Sequence, residues 1–150
     1  MSCALLARDR FVPVALLLLL AGCSVMRPDP HLAAFTTQLT GTNEVPTVST
    51  AATGRVDAVL DKNTGLFRWR LSYAGLSGPA TAAHFHGPAP MGRNAGPSLS
   101  MSIPLQNPGQ GRATLNPAQT ADLLAGRWYA NIHTATHPGG EIRGQMTLVD

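Results

Sequence analysis

The chain has 150 residues, a formal net charge of +3, 13% charged side chains and 44% hydrophobic ones. That is enough sequence for one ordinary packed domain and not for two. The basic residues are scattered rather than clustered along the chain, so composition gives no support to nucleic-acid binding, which requires a basic stripe.

The amino terminus reads as a targeting segment. Arg8 and Arg10 flank the start of an almost unbroken apolar run over residues 11–21, too short to span a bilayer permanently, for which about 20 apolar residues are needed. The run closes on Leu20-Ala21-Gly22-Cys23, which resembles the lipobox of bacterial lipoproteins. The resemblance implies cleavage before Cys23 and acylation of that cysteine. Because Ser24 rather than Asp follows, it also implies sorting to the outer membrane, facing the periplasm. Residues 1–22 are thus expected to be a lipoprotein signal peptide, 23–32 a proline-bearing tether and 33–150 the folded domain. Loss of Arg8, Asp9 and Arg10 lowers the net charge to +2. The other cysteine, Cys3, leaves with the signal, so neither a disulfide nor thiolate chemistry is expected in the mature chain.

Beyond the tether the pattern is period two. Residues 35–40 form the first expected strand. Residues 55–61 and 66–73 flank Lys62-Asn63-Thr64-Gly65, a hairpin turn signal. In the second arm Phe67, Trp69, Leu71 and Tyr73 alternate with Arg68, Arg70 and Ser72, the pattern of a half-buried strand with an aromatic inner face. Arg68 and Arg70 decorate its outer face with no identifiable partner.

Residues 81–86 give a further strand, ended by Gly87-Pro88-Ala89-Pro90. A loop follows to about residue 97, and residues 98–105 alternate again, with 112–115 as a short edge strand. Asn116-Pro117 reads as an N-cap and a proline at the first helical position, opening a helix over 118–125 that closes at Gly126. Residues 127–134 and 141–148 complete the set. Seven or eight short strands, Gly/Pro-rich turns and one small helix predict an all-β antiparallel sandwich or barrel.

Two strands carry the chemistry. Side chains alternate faces along a strand, so His84 and His86 point the same way, with Cα atoms roughly 6.6 Å apart. Two imidazoles so spaced can converge on one ion through bonds of about 2.0 Å. Tyr129, Asn131 and His133 repeat the alternation, and His133 is a candidate third ligand. A plain hydrogen-bonded polar cluster is the competing reading. His137, before Pro138, reads as a loop residue and His31 as part of the tether. Glu141 and Arg143 share a strand face and are expected as an exposed or rim ion pair. Gly87, Gly126, Gly139 and Gly140 are expected in turns that need positive φ. Trp69, Trp128 and Phe67 are expected in the core. No Gly-x-Ser-x-Gly elbow, acid–base carboxylate pair or phosphate loop stands out.

Ala83-His84-Phe85-His86-Gly87-Pro88-Ala89, Leu124-Ala125-Gly126-Arg127-Trp128-Tyr129-Ala130-Asn131-Ile132-His133-Thr134 and Pro138-Gly139-Gly140-Glu141-Ile142-Arg143-Gly144-Gln145 together resemble the CHRD domain. That domain is named for the extracellular protein chordin and occurs in bacterial secreted proteins. Asn43-Glu44-Val45-Pro46 is similar to the family's opening, and the likeness covers roughly residues 33–149. It implies an immunoglobulin-like sandwich with distant similarity to Cu,Zn superoxide dismutase, whose copper strand also carries His-x-His. The departures narrow the chemistry: there is no long His- and Asp-rich zinc loop and no cysteine pair, and residues 87–97 contain no His or acid.

The expected function is a lipid-anchored cell-envelope module that binds or builds without turnover. The alternative is a single-site copper or zinc protein using His84, His86 and His133. The only partner the sequence indicates is the membrane, through Cys23.

Overall fold

Inward and outward residues alternate as the period-two pattern requires. The computed structural model describes residues 29–149; the expected signal peptide, Cys23 and most of the expected tether lie outside them. In β1 (Leu32–Thr40), Ala33, Phe35, Thr37 and Leu39 are buried, and in β2 (Thr53–Asp61) Gly54, Val56, Ala58 and Leu60 are. Phe67, Trp69 and Leu71 do the same in β3 (Leu66–Ala74). The remaining strands are β4 (Ala80–His86), β5 (Pro97–Ser100), β6 (Gly109–Thr114), β7 (Tyr129–Thr134), β8 (Ile142–Gln145) and β9 (Thr147–Leu148), with α1 (Pro117–Leu124) between β6 and β7.

All pairings are antiparallel, in the order β5-β4-β7-β8-β1-β2-β3-β6, with β9 against β1. The sheet curls so that the aromatic inner face of β3 meets that of β4 and the segment before β7. Phe67 and Trp69 lie edge-on to Phe85 at 5.2 and 5.3 Å, and Phe67 to Trp128 at 6.2 Å. Edge-to-face aromatic pairs contribute about 0.5–1.5 kcal/mol each beyond their buried area. This cluster closes the core.

Local signals act where the sequence places them. The β2–β3 turn forms because the Asp61 carboxylate accepts the Asn63 and Thr64 N–H groups at 2.9 and 3.3 Å, and Gly65 supplies φ +70°. Helix α1 opens on a reciprocal Asn116–Gln119 capping box with Pro117 in its first turn, and Gly126 at φ +68° ends it.

Two elements differ from expectation. The strand expected over 98–105 ends at Ser100; Met101 still donates to the Ala83 carbonyl at 2.9 Å, but Pro104 can donate no ladder hydrogen bond and the pairing goes no further. The final strand is split at Met146, whose N–H turns back to the Trp128 carbonyl at 2.9 Å while Thr147 and Leu148 pair with Thr36 and Phe35. That split makes nine strands among the described residues, against the expected seven or eight. The all-β antiparallel class with one short helix holds.

Gly111 faces Trp69 directly across β3 and β6, and a Cβ there would fall on the indole ring. Gly111→Ala is therefore expected to lower stability by about 1–3 kcal/mol in denaturant unfolding, the usual cost of overpacking. Gly139→Ala, with nothing within 4 Å of its added carbon, serves as the neutral control.

A three-histidine cluster over a buried charged layer

Strands β4 and β7 place the candidate residues. Their register pairs Ala82 with His133, His84 with Asn131 and His86 with Tyr129, and directly paired residues share a face. The opposite face carries Ala83, Phe85, Ala130 and Ile132, each at most 1% exposed. A slip of one residue would drive the imidazoles into that core, so burial fixes the register.

The three histidines come together. His84 Nδ1 and His133 Nε2 are 3.2 Å apart, and one ligand atom from each of His84, His86 and His133 lies within 4.8 Å of the others. Nitrogens bound to one tetrahedral ion through bonds of about 2.0–2.1 Å stand about 3.3 Å apart. The His84–His133 pair has that spacing already; His86 would have to close the remaining gap. His137 instead shapes the turn before Gly140, exchanging backbone bonds with Thr134.

Backbone carbonyls set two of the tautomers. His133 Nδ1 lies 2.9 Å from the Pro138 carbonyl and His86 Nδ1 2.9 Å from the Ala95 carbonyl. A carbonyl only accepts, so each Nδ1 carries the proton. Each Nε2 is then left as the lone-pair nitrogen of a neutral ring. Burial lowers the pKa of His84, aided by the charges of His133 and His86; burial also lowers that of His86 despite its bonds to Ala95 and Asn131. Both shifts favour the neutral, ligating form. Two contacts compete: His84 Nδ1 must donate to the lone pair of His133 Nε2 at 3.2 Å, and His86 Nε2 faces Asn131 Oδ1 at 3.0 Å. A neutral His86 satisfies the second contact only if the Asn131 amide turns to present its NH₂.

Beneath the histidines lies a layer of buried charge. Tyr129 stacks parallel to His86 with ring centres 4.8 Å apart, and the Arg143 guanidinium sits 3.4 Å from the Tyr129 ring centre. Arg143 is 2% exposed and donates at 2.7 Å to both the Asn94 side chain and the Arg93 carbonyl. Asn94 in turn donates to the Val45 carbonyl, and the Tyr129 hydroxyl meets the Ala95 N–H and C=O at 3.2 Å. These bonds clamp the loop between β4 and β5 over the outer face.

Glu44, 5% exposed, follows the 3-10 turn Gly41–Asn43 into this layer. Burial drives its pKa from the ordinary 4.5 up to about 7, although the charge of Arg143 and the amides of Asn131 and Val45 pull it down. Its Oε1 has no hydrogen-bond partner; the Asn131 amide lies beside it without completing a bond. Gly140, at φ +126°, passes so close that a Cβ would strike both Oε1 and the Asn131 amide. A cleft of about 560 Å³, with Thr37, Thr42, Asn43, Glu44 and Arg143 among its walls, opens beside the layer.

Glu141 and Arg143 do share a strand parity, but they are not a rim ion pair. Both are buried, and among the described residues the ion pairs are Arg55–Asp57 and Arg127–Asp122. The Glu141 carboxylate accepts from the Ser77 N–H and hydroxyl at 2.9 and 2.7 Å, from Thr134 at 2.7 Å and from Thr50 at 3.0 Å. Burial raises its pKa, and these bonds together outweigh that and hold it below the usual carboxylate range. It staples three distant segments. Gly87 is likewise kept for space rather than for positive φ: a side chain there would collide with Trp128.

A model of the CHRD domain matches residues 35–146. No curated protein and no solved structure gives a significant match.

Glu44 yields a prediction with a definite sign. A carboxyl whose folded pKa is raised favours the folded state fully below its unfolded value near 4.5, and that contribution is lost as pH rises through about 7. Glu44→Gln removes the ionisation cost. It should raise stability by up to about 3 kcal/mol at alkaline pH and change little at acid pH, measured by urea unfolding at both.

Proposed function

The chain belongs to the CHRD-domain family, and on that premise we propose that it is a binding module of the cell envelope that works without turnover. It is held at the outer membrane, facing the periplasm, by a lipid on Cys23. In support, the polar groups around the site are spent on holding structure. Ser77, Thr50 and Thr134 serve Glu141, and Asn94 serves Arg143.

A second reading specifies what is bound: a single copper or zinc ion on His84, His86 and His133. The observation that carries it is the convergence of three imidazoles, two of them with Nδ1 held by a backbone carbonyl. Outer bonds of that kind orient metal-ligating histidines and fix their tautomers. Imidazole suits both metals, and three nitrogens leave a position open for a further ligand. The protein's share of the work is to present neutral rings and to exchange the His84–His133 and His86–Asn131 contacts for the ion.

Calorimetric titration of protein purified without a polyhistidine tag tests the metal reading. Wild type is expected to bind copper or zinc with one ion per chain, and His84→Ala/His86→Ala to lose that binding. Free ion at about 100 times Kd should add about 2.7 kcal/mol of stability to the wild type alone. Equal binding by the two proteins would refute the site. The anchor is tested separately by Cys23→Ala, which is expected to abolish processing and detergent-phase partitioning; unchanged mobility and partitioning would rule out lipidation.

A further inference from the structure

The arginines that are scattered in sequence are gathered by the fold. On the outer face of β2, β3 and β6, Arg68 lies directly opposite Arg112, Arg70 opposite Asp57 and Gln110, and Arg55 opposite Ser72. All four arginines are exposed. Asp57 is the acid in their midst, and Arg55 already holds it through contacts of 2.6 and 2.7 Å, with Thr36 donating as well. Asp61, at the turn, is occupied with the amides of Asn63 and Thr64. Among the described residues Arg68, Arg70 and Arg112 form no ion pair.

Like charges placed directly opposite across two strands destabilise a sheet, so nothing in the fold accounts for Arg68 facing Arg112. The same face is also apolar beyond what solvent favours. Val59, 37% exposed, is paired with Arg68 and Ala34. Val149, 49% exposed, is bonded to the Ala34 carbonyl, and Leu32, 46% exposed, starts β1. Arginines beside exposed aliphatic side chains are what an interfacial membrane surface combines: cations for headgroup phosphates and methyl groups for the acyl boundary.

The connection to the chain's amino terminus points to the same place. Leu32 pairs with Asp61, and Leu66 with Thr114. The tether therefore enters at the end of the sheet that carries the Arg68–Arg112 pair, two residues in from Leu66 and Thr114. From Cys23 to Leu32 is nine residues, a reach of at most about 30 Å. From charge complementarity, exposed apolar rim and tether position together, we infer that this face docks on an anionic phospholipid surface. The tether argument rests on acylation at Cys23; the charge and the apolar rim do not. Docking there would hold in one orientation a domain otherwise free to swing on a proline-bearing tether. It also leaves the histidine cluster, on the other wing of the sheet, free of the bilayer.

The full processed protein, with Val59→Cys carrying an environment-sensitive fluorophore, would be mixed with vesicles containing a bilayer-embedded quencher. One set is phosphatidylcholine alone and the other contains about 30 mol% phosphatidylglycerol, at low salt and at about 1 M salt, where the Debye length is about 3 Å. Quenching is expected with the anionic vesicles at low salt and not in the other conditions. Each basic side chain near such a surface contributes about a fivefold factor, so Arg68→Gln/Arg112→Gln should lower the docked-to-undocked ratio about 30-fold. Co-flotation with neutral vesicles reads the anchor independently. If it fails while anionic, salt-sensitive quenching persists, the acylation reading falls and the docking face stands. If flotation holds but quenching ignores lipid charge or the arginine substitutions, the docking face is overturned. Salt-sensitive retention on duplex DNA without any response to anionic vesicles overturns it too.

Discussion

The antiparallel register between β4 and β7 is the constraint on which the site depends. It sets Phe85 against Ala130 and Ala83 against Ile132 on one side, and His86 against Tyr129 and His84 against Asn131 on the other. Burial of a Phe or Ile side chain contributes about 1.5–3 kcal/mol, so the inner residues resist any slip. The outer residues inherit their positions without having to stabilise them. Three imidazoles can thus be held near one another although they repel when protonated and gain little from mutual contact. The aromatic cluster of Phe67, Trp69, Phe85 and Trp128 carries the same constraint to the other wing of the sheet.

Placing a guanidinium and a carboxyl behind that cluster is costly, since burying charge is unfavourable unless it is paired and hydrogen-bonded. The molecule treats its buried charges differently. Arg143 is satisfied by carbonyl oxygens and by the face of Tyr129. Glu141 is satisfied by hydroxyls and an amide. Glu44 keeps an oxygen without a partner. The two satisfied groups bind loops to the sheet, and the unsatisfied one lies next to Asn131, the residue that touches His86. Asn131 thus stands between the histidines and the carboxyl, bonded to His86 and only adjacent to Glu44.

The legible parts of this protein were those set by local rules. Alternation in residues 66–73 gave the inner aromatic face, Asn116-Pro117 gave the helix start, and the His84/His86 and His133 parities were correct. Strand parity tells which face a side chain takes, but not what covers that face. Glu141 and Arg143 therefore looked like a rim pair, yet residues 93–95 and 44–45 fold over Arg143 from some fifty and a hundred positions away. Glu44 carried no signal beyond its place in a family-like opening, because its burial depends on those same long-range contacts. Arg112 could not be matched with Arg68 from the sequence, since only the β3–β6 register brings them face to face. The family resemblance, by contrast, reached the right domain because it rests on three ordered motifs rather than on any one contact.

The open ends of the strand path have a consequence for how copies of the chain behave together. One edge is β5, four residues long and beginning with a proline; the other is β6, which carries two glycines and Arg112. Neither offers the long, flat, uncharged ladder that another strand would need as a template. Crowded side by side, such molecules have no ready way to extend one another's sheets through these two borders.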